Sequence, residues 1–168
     1  MGPTCSIVYE NEPMEKNTMQ QPPRTMTDTF LNLRELAISI IQGLVITAGV
    51  LFAYQWSVQH GGSEEKTRAM VFTTLILANI LLSLVNRSFS YSVFDSFKNK
   101  NPLFPVIIGL TLVLLFVILY IAPAANFFHV TGLDLQELGM TLSVAAVSVL
   151  WFEIYKLFRR MKKSTLML

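Results

Sequence analysis

Long apolar runs, parted by shorter polar stretches, organise this chain. They extend over about 36–56, 69–86, 103–122 and 138–158. A helix needs roughly 20 apolar residues to cross a hydrocarbon core of about 30 Å, and each run meets or approaches that length. No Lys, Arg or Asp falls in the central part of any run. Helices are the open elements whose backbone satisfies itself in lipid, so the pattern predicts four transmembrane helices. Pro102 and Pro105 open the third run and Pro123 closes it, positions where proline does not interrupt a helix. Asp134, followed by Glu137 three residues on, resembles a capping box before the fourth. Residues 57 to 68, with Gly61, Gly62, Glu64 and Glu65, read as an exposed loop.

Charge gives this all-α, polytopic fold a direction. Lys16, Arg24 and Arg34 precede the first run, and Arg87, Lys98 and Lys100 lie between the second and third. Lys156, Arg159, Arg160, Lys162 and Lys163 close the chain, while the first connection holds only Lys66 and Arg68. If the spans alternate, eleven of the thirteen basic residues share one side. By the positive-inside rule that side is the cytoplasm, so both termini are expected there. Trp56 and Tyr120 towards one face, and Trp151 and Tyr155 towards the other, suit interfacial anchoring. The expected organisation is a cytoplasmic segment over 1–35, a transmembrane domain over 36–158 and a basic tail over 159–168. Glu10, Glu12 and Glu15 leave no apolar core for a secretory signal in the first twenty residues.

Composition narrows the chemistry. The chain is 52% hydrophobic and 14% charged, where a soluble domain carries about a quarter charged residues. A formal net charge of +2 gives no reason to expect nucleic acid as a partner; membrane lipids are the expected surroundings. Cys5 is the single cysteine, and His60 and His129 fall on separate connections, so no disulfide framework and no soft-metal ligand set is expected.

Several polar or small residues sit inside the runs. Ser39, Gln42, Gly43 and Thr47 share a face of the first, and Asn79, Ser83 and Asn86 form a stripe on the second. The fourth has Gly139, Ser143 and Ala146, and the third only Gly109 and Thr111, so the third is expected to be the most lipid-exposed. Close helix packing accounts for Ser39, Thr47, Gly109 and Ser143. Gln42 and Asn79 admit both packing and a second reading, because a buried primary amide offers its carbonyl oxygen to a hard cation. Glu153 lies near the cytoplasmic end of the fourth run with Lys156 three residues on, which an interfacial ion pair explains.

Glu12-Pro13, Met19 and Pro22-Pro23-Arg24 stand before the first run. AMVFTTLILANILLSLVNRSF forms the second, and GLDLQELGMTLSVAAVSVLWFEIYKLFRR leads through the fourth. In this order and spacing they resemble the carboxyl-terminal membrane region of P-type cation-transporting ATPases, closest to the bacterial calcium-pump-like group. The resemblance implies that the runs correspond to helices seven to ten of such a pump, in a bacterial cell membrane. It implies that residues 1 to about 10 correspond to the end of helix six, and the stretch carrying Glu12-Pro13 and Pro22-Pro23-Arg24 to the six–seven connection. Aligned on Glu12-Pro13, Gly2 stands where calcium pumps place an ion-binding aspartate. The acidic ligand of their eighth helix falls at or beside Asn79, which makes Asn79 the candidate cation-route residue.

The DKTG phosphorylation motif and the TGE loop of that family do not occur in these 168 residues, nor does a Gly-rich phosphate loop. Phosphoryl transfer needs a positioned acceptor and magnesium ligands, so the chain is not expected to be an enzyme on its own, and no cofactor is expected. The expected role is a non-catalytic transmembrane domain supporting cation transport, as a truncated or split fragment. Its expected partner is the amino-terminal catalytic part of a pump, with a cation in the assembled state. The alternative is a standalone four-helix membrane protein, acting as an oligomeric transporter or as an assembly or regulatory partner.

Overall fold

The computed structural model describes residues 33–86 and 103–165, apart from the side chains of 34, 35, 104 and 155–165. The segment before residue 33, the 87–102 connection and the side chains of the basic tail lie outside the described residues, as does the side chain of Lys156, the partner expected for Glu153. Glu153 itself is half-buried and partnered.

The described residues form helices α1 (Leu33–Gln59), α2 (Glu64–Asn86), α3 (Leu103–Tyr120), α4 (Ala122–Phe128) and α5 (Leu135–Thr165). Segments of α1, α2 and α5 (Leu36–Gln59, Glu64–Asn86 and Leu135–Ile154) are each long and apolar enough to cross a membrane. A further crossing is available if α3 and α4, bent by 83°, count as one. The protein is thus an all-helical integral membrane protein with three or four candidate spans among its described residues.

Packing makes α2 the centre. It lies most extensively against α5, then α1, and α1 also touches α5, so the three form one cluster. The buried face of α1 runs through Gln42, Ile46, Ala53 and Ser57 at helical spacing, and that of α5 through Thr141, Ala145, Ser148, Val149 and Phe152. α2 buries a broader arc, from Thr67 and Met70 through Thr73, Thr74, Ala78 and Ile80 to Val85. Around Ile46, Ala78, Val85, Ala145, Val149 and Phe152 the three helices share one apolar core. A second core at the other end joins Ala69 and Met70 to Leu115, Leu119, Ala125, Val130 and Leu133.

α3 is the outlier, in keeping with its uniform apolarity. It meets α2 lightly and α4 more closely, and buries Leu115 and Leu119 near its end.

The 57–68 connection, expected as a loop of twelve residues, contracts to 60–63 because both flanking helices extend into it. Gly61, at φ 72°, takes the left-handed position that stops α1; its N–H donates to Val58 O, and the N–H of Gly62 donates to Ser57 O. Ser63 then caps α2, accepting from the Lys66 N–H through its Oγ at 3.2 Å, with Glu64 and Glu65 favourably placed in the first turn.

Pro123, expected to close the third span, instead opens α4: the chain turns at Ile121 and Pro123 occupies the first turn of the short helix.

Two sets of small residues change places relative to expectation. Ser39, Thr47, Gly109 and Ser143, expected in helix contacts, lie on exposed faces, as does Gly43. A Cβ built on Gly43, Gly109 or Gly139 meets nothing within 4 Å. The close approach is made at Gly49, where a Cβ would run into Ser148 Oγ and lie 3.3 Å from Val144 Cγ1.

Candidate functional site

Two places in the cluster carry polar groups across helix boundaries. The first contains the amides expected to matter. Asn79 sits half-buried on α2, and its Nδ2 donates to Leu75 O at 2.8 Å, one turn back. Oδ1, the oxygen a hard cation would take, has no part in that bond. Ser83 Oγ donates to Asn79 O at 2.9 Å, so these members of the expected stripe are locally linked. Gln42 is 6% exposed on α1, and its Nε2 approaches Asn86 Oδ1 at 3.4 Å, a long and weak donation. The structure therefore joins Gln42 to the α2 stripe through Asn86 rather than through Asn79. Thr73 lies further along α2, with its Oγ1 buried and without a hydrogen-bond partner.

The second place is the end of the bundle where α1 stops and α2 and α5 start. Lys66 Nζ pairs with Glu137 Oε1 at 2.9 Å and reaches Asp134 Oδ2 at 4.0 Å. Glu137 Oε2 meanwhile accepts from the Asp134 N–H at 2.9 Å, which is one half of the capping box expected there. One carboxylate thus closes the start of α5 and ties it to α2. Beneath it, Ser57 Oγ and Thr67 Oγ1 share a buried hydrogen bond of 2.8 Å between α1 and α2. His60 stacks on Trp56 with ring centroids 4.1 Å apart, and its Nδ1 donates to Trp56 O at 2.8 Å. Arg68 Nη1 donates to His129 O at 3.4 Å, linking α2 to the end of α4. A cavity of about 320 Å³ opens between Trp56, His60, Ser63, Lys66, Met70 and Glu137.

The Lys66–Glu137 pair was not anticipated, although its signal is present. Lys66 lies three residues after the cap Ser63, and Glu137 three after the cap Asp134. Two helices starting at the same bundle end carry opposite charges at the same position. The pairing depends on α2 and α5 being neighbours, which the spacing within either helix does not carry.

Chemically, neither place arranges a nucleophile with a base. Among the described residues no three His, Cys, Asp or Glu side chains gather to hold a metal ion. What the geometry provides is an amide-bearing stripe within α2 and a polar clasp at one end of the helices.

Residues 1–158 match the family described as "Cation transporting ATPase, C-terminus". The chain is 24% identical over 152 residues to "Calcium-transporting ATPase 1" of Schizosaccharomyces pombe, an alignment covering 90% of this chain and 17% of that protein. It is 26% identical over 152 residues to "Calcium-transporting ATPase type 2C member 2" of Mus musculus, covering 89% of this chain and 16% of the relative. Against "Calcium-transporting ATPase type 2C member 1" of Homo sapiens it is 24% identical over 141 residues, covering 82% and 15%. The chain therefore spans about a sixth of the length of these relatives.

Proposed function

We propose, for a chain that belongs to the cation transporting ATPase C-terminus family, a non-catalytic role in the membrane. The domain braces the ion-transport helices of a P-type cation pump, and ATP hydrolysis takes place in a separate catalytic part. The observation that carries this reading is the family match across residues 1–158, which takes in every described helix up to the last turns of α5. The α1–α2–α5 cluster supports it, because a brace needs helices that hold one another through a shared core.

In this reading residues 1–35 form a cytoplasmic approach to the membrane, 36–158 the transmembrane domain and 159–168 a basic cytoplasmic tail. Both termini face the cytoplasm. The partner is the amino-terminal catalytic portion of a pump, and the cation is bound in the assembled state. Asn79 contributes a neutral amide oxygen at or beside the ion route. The finer placement in a bacterial calcium-pump-like group, in a bacterial cell membrane, rests on motif resemblance; the relatives named above are eukaryotic.

The test is reconstitution. The chain is co-expressed with a relative's pump from which the matching carboxyl-terminal region has been removed, and the two are purified in mild detergent. Co-purification and recovery of cation-stimulated phosphoenzyme are expected. Two well-folded parts that do not associate would overturn the reading. In the recovered pump, Asn79→Ala is expected to weaken the apparent cation affinity several-fold and to leave association intact. Unchanged affinity would remove Asn79 from the ion route.

A further inference from the structure

The 83° bend between α3 and α4 leaves two arrangements open: one broken span, or a span with a helix lying across its end. We infer the second: α4 is an in-plane helix that seats Phe127 and Phe128 in the interfacial layer of the bilayer. It thereby fixes the depth of α3, the least-packed of the spanning helices.

Length is the first argument. α3 has 18 residues, about 27 Å at 1.5 Å per residue, close to the hydrocarbon thickness of about 30 Å. It therefore crosses without help from α4. With α3 near the membrane normal, a partner bent by 83° lies close to the membrane plane.

The bend is also fully built. Ile121 keeps its N–H on Val117 O and accepts from the N–H groups of Ala124 and Ala125, so the turn exposes few unsatisfied backbone groups. At its far end the Val130 N–H donates to Ala125 O and the His129 N–H to Asn126 O, with His129 at φ 50°. This pair of bonds closes α4 on a left-handed residue. The returning chain is held as well, since Tyr120 Oη donates to Leu133 O at 2.8 Å.

The two faces of α4 differ. Ala125, with Val130 and Leu133 beyond the helix end, enters the core formed with Met70, Leu115 and Leu119. On the other side Phe127 is 78% exposed and Phe128 46%, set edge to face 5.1 Å apart. From Ile121 to Leu133 there is no Lys, Arg, Asp or Glu. Two exposed phenylalanines on an uncharged helix would be costly in water, whereas apolar rings are favoured at the acyl–headgroup boundary. Trp56 and Tyr120 stand at the same bundle end and mark the level at which aromatic residues concentrate. Among the described side chains of α3 only Leu115 and Leu119 are buried, so most of its length takes its position from lipid, from α4 and from a light contact with α2.

The experiment uses the full chain in phosphatidylcholine nanodiscs, with Cys5→Ser removing the native thiol. Spin labels are placed at Phe127→Cys, at Phe128→Cys and, as a mid-α3 reference, at Leu112→Cys. Depth is read from the ratio of collisions with oxygen and with a water-soluble nickel complex. The labels on α4 should be oxygen-accessible and about 5–10 Å below the headgroups, well above the reference. Depth equal to Leu112 means a broken span and overturns the inference. So does access to nickel alone, which means solvent, or access to neither, which means a covering protein surface or second copy. An unsubstituted arm guards against misfolded variants. Phosphatidylcholine with a diazirine beside the glycerol should label the peptide containing Phe127 and Phe128 at least fivefold more than the same lipid with the diazirine at the acyl terminus. Equal labelling, or none, overturns the inference.

Discussion

Gly49 and Ser148 meet where α1 approaches α5, and one missing methyl decides how closely the helices sit. A Cβ at Gly49 would collide with Ser148 Oγ, while one at Gly43, six residues earlier, meets nothing within 4 Å. Gly49→Ala is therefore expected to destabilise the domain by about 1–3 kcal/mol through overpacking. The loss should shrink when Ser148→Ala removes the colliding oxygen, the signature of two residues in direct contact. Gly43→Ala, which adds helix propensity without a clash, is expected to be neutral or slightly stabilising. Thermal unfolding of the purified domain in detergent measures Gly49→Ala, Ser148→Ala, the two combined, and Gly43→Ala. Equal losses at both glycines would mean that the exposed face of α1 is packed as tightly as the buried one. Sequence spacing shows that small residues fall into stripes but not which stripe is turned inward. Gln42 and Gly43 are adjacent, yet Gln42 is buried and Gly43 exposed. The choice is made by where Ile46 finds partners on α2 and α5, which is a property of three helices together.

The same holds where helices begin and end, though there the local chemistry is more readable. His60-Gly61-Gly62-Ser63-Glu64-Glu65 contains a stop, a turn and a cap in six residues, and the chain uses all of them. The stretch looks like a long loop because Gly61 ends one helix only two residues before Ser63 starts the next. Asp134 and Glu137 were legible as a capping box, whereas the second task of Glu137, holding Lys66, was not. These two tasks can be separated. Glu137→Gln keeps a group that can accept from the Asp134 N–H but loses the ion pair. Because Lys66 is a third exposed and water screens the pair, that loss is expected to lower the melting temperature only slightly. Glu137→Ala also uncaps α5 and should cost about a further 1 kcal/mol. Lys66→Met in the Glu137→Ala background should then add little, because its partner is already gone. Thermal melts of the four proteins read this directly. An alanine variant no weaker than the glutamine variant would show that the cap contributes nothing.

At the scale of the whole molecule, the number of crossings sets which ends share a side. α1, α2 and α5 are candidate spans by themselves, and three crossings would put the two ends of the domain on opposite faces. With α3 as a fourth crossing the ends return to the same face, and eleven of thirteen basic residues then lie together. Parity and charge thus meet in one measurable arrangement. Cys5, the only native cysteine, lies before α1; Ser63 lies between α1 and α2, and Ser164 in the last turn of α5. In cells treated with a membrane-impermeant maleimide, the native thiol at Cys5 is expected to stay unmodified until the membrane is permeabilised. In the Cys5→Ser background, Ser63→Cys should react in intact cells and Ser164→Cys only after permeabilisation. Modification of Ser63→Cys and Ser164→Cys together in intact cells would place the starts of α2 and α5 on opposite faces, against the Lys66–Glu137 pair that joins them at one bundle end. Modification of Cys5 and Ser164→Cys without Ser63→Cys would keep four crossings and reverse the orientation. The 18 uncharged, largely apolar residues of α3 favour a crossing, and the 11:2 division of basic residues favours the cytoplasmic ends, so both outcomes would set a strong physical preference aside.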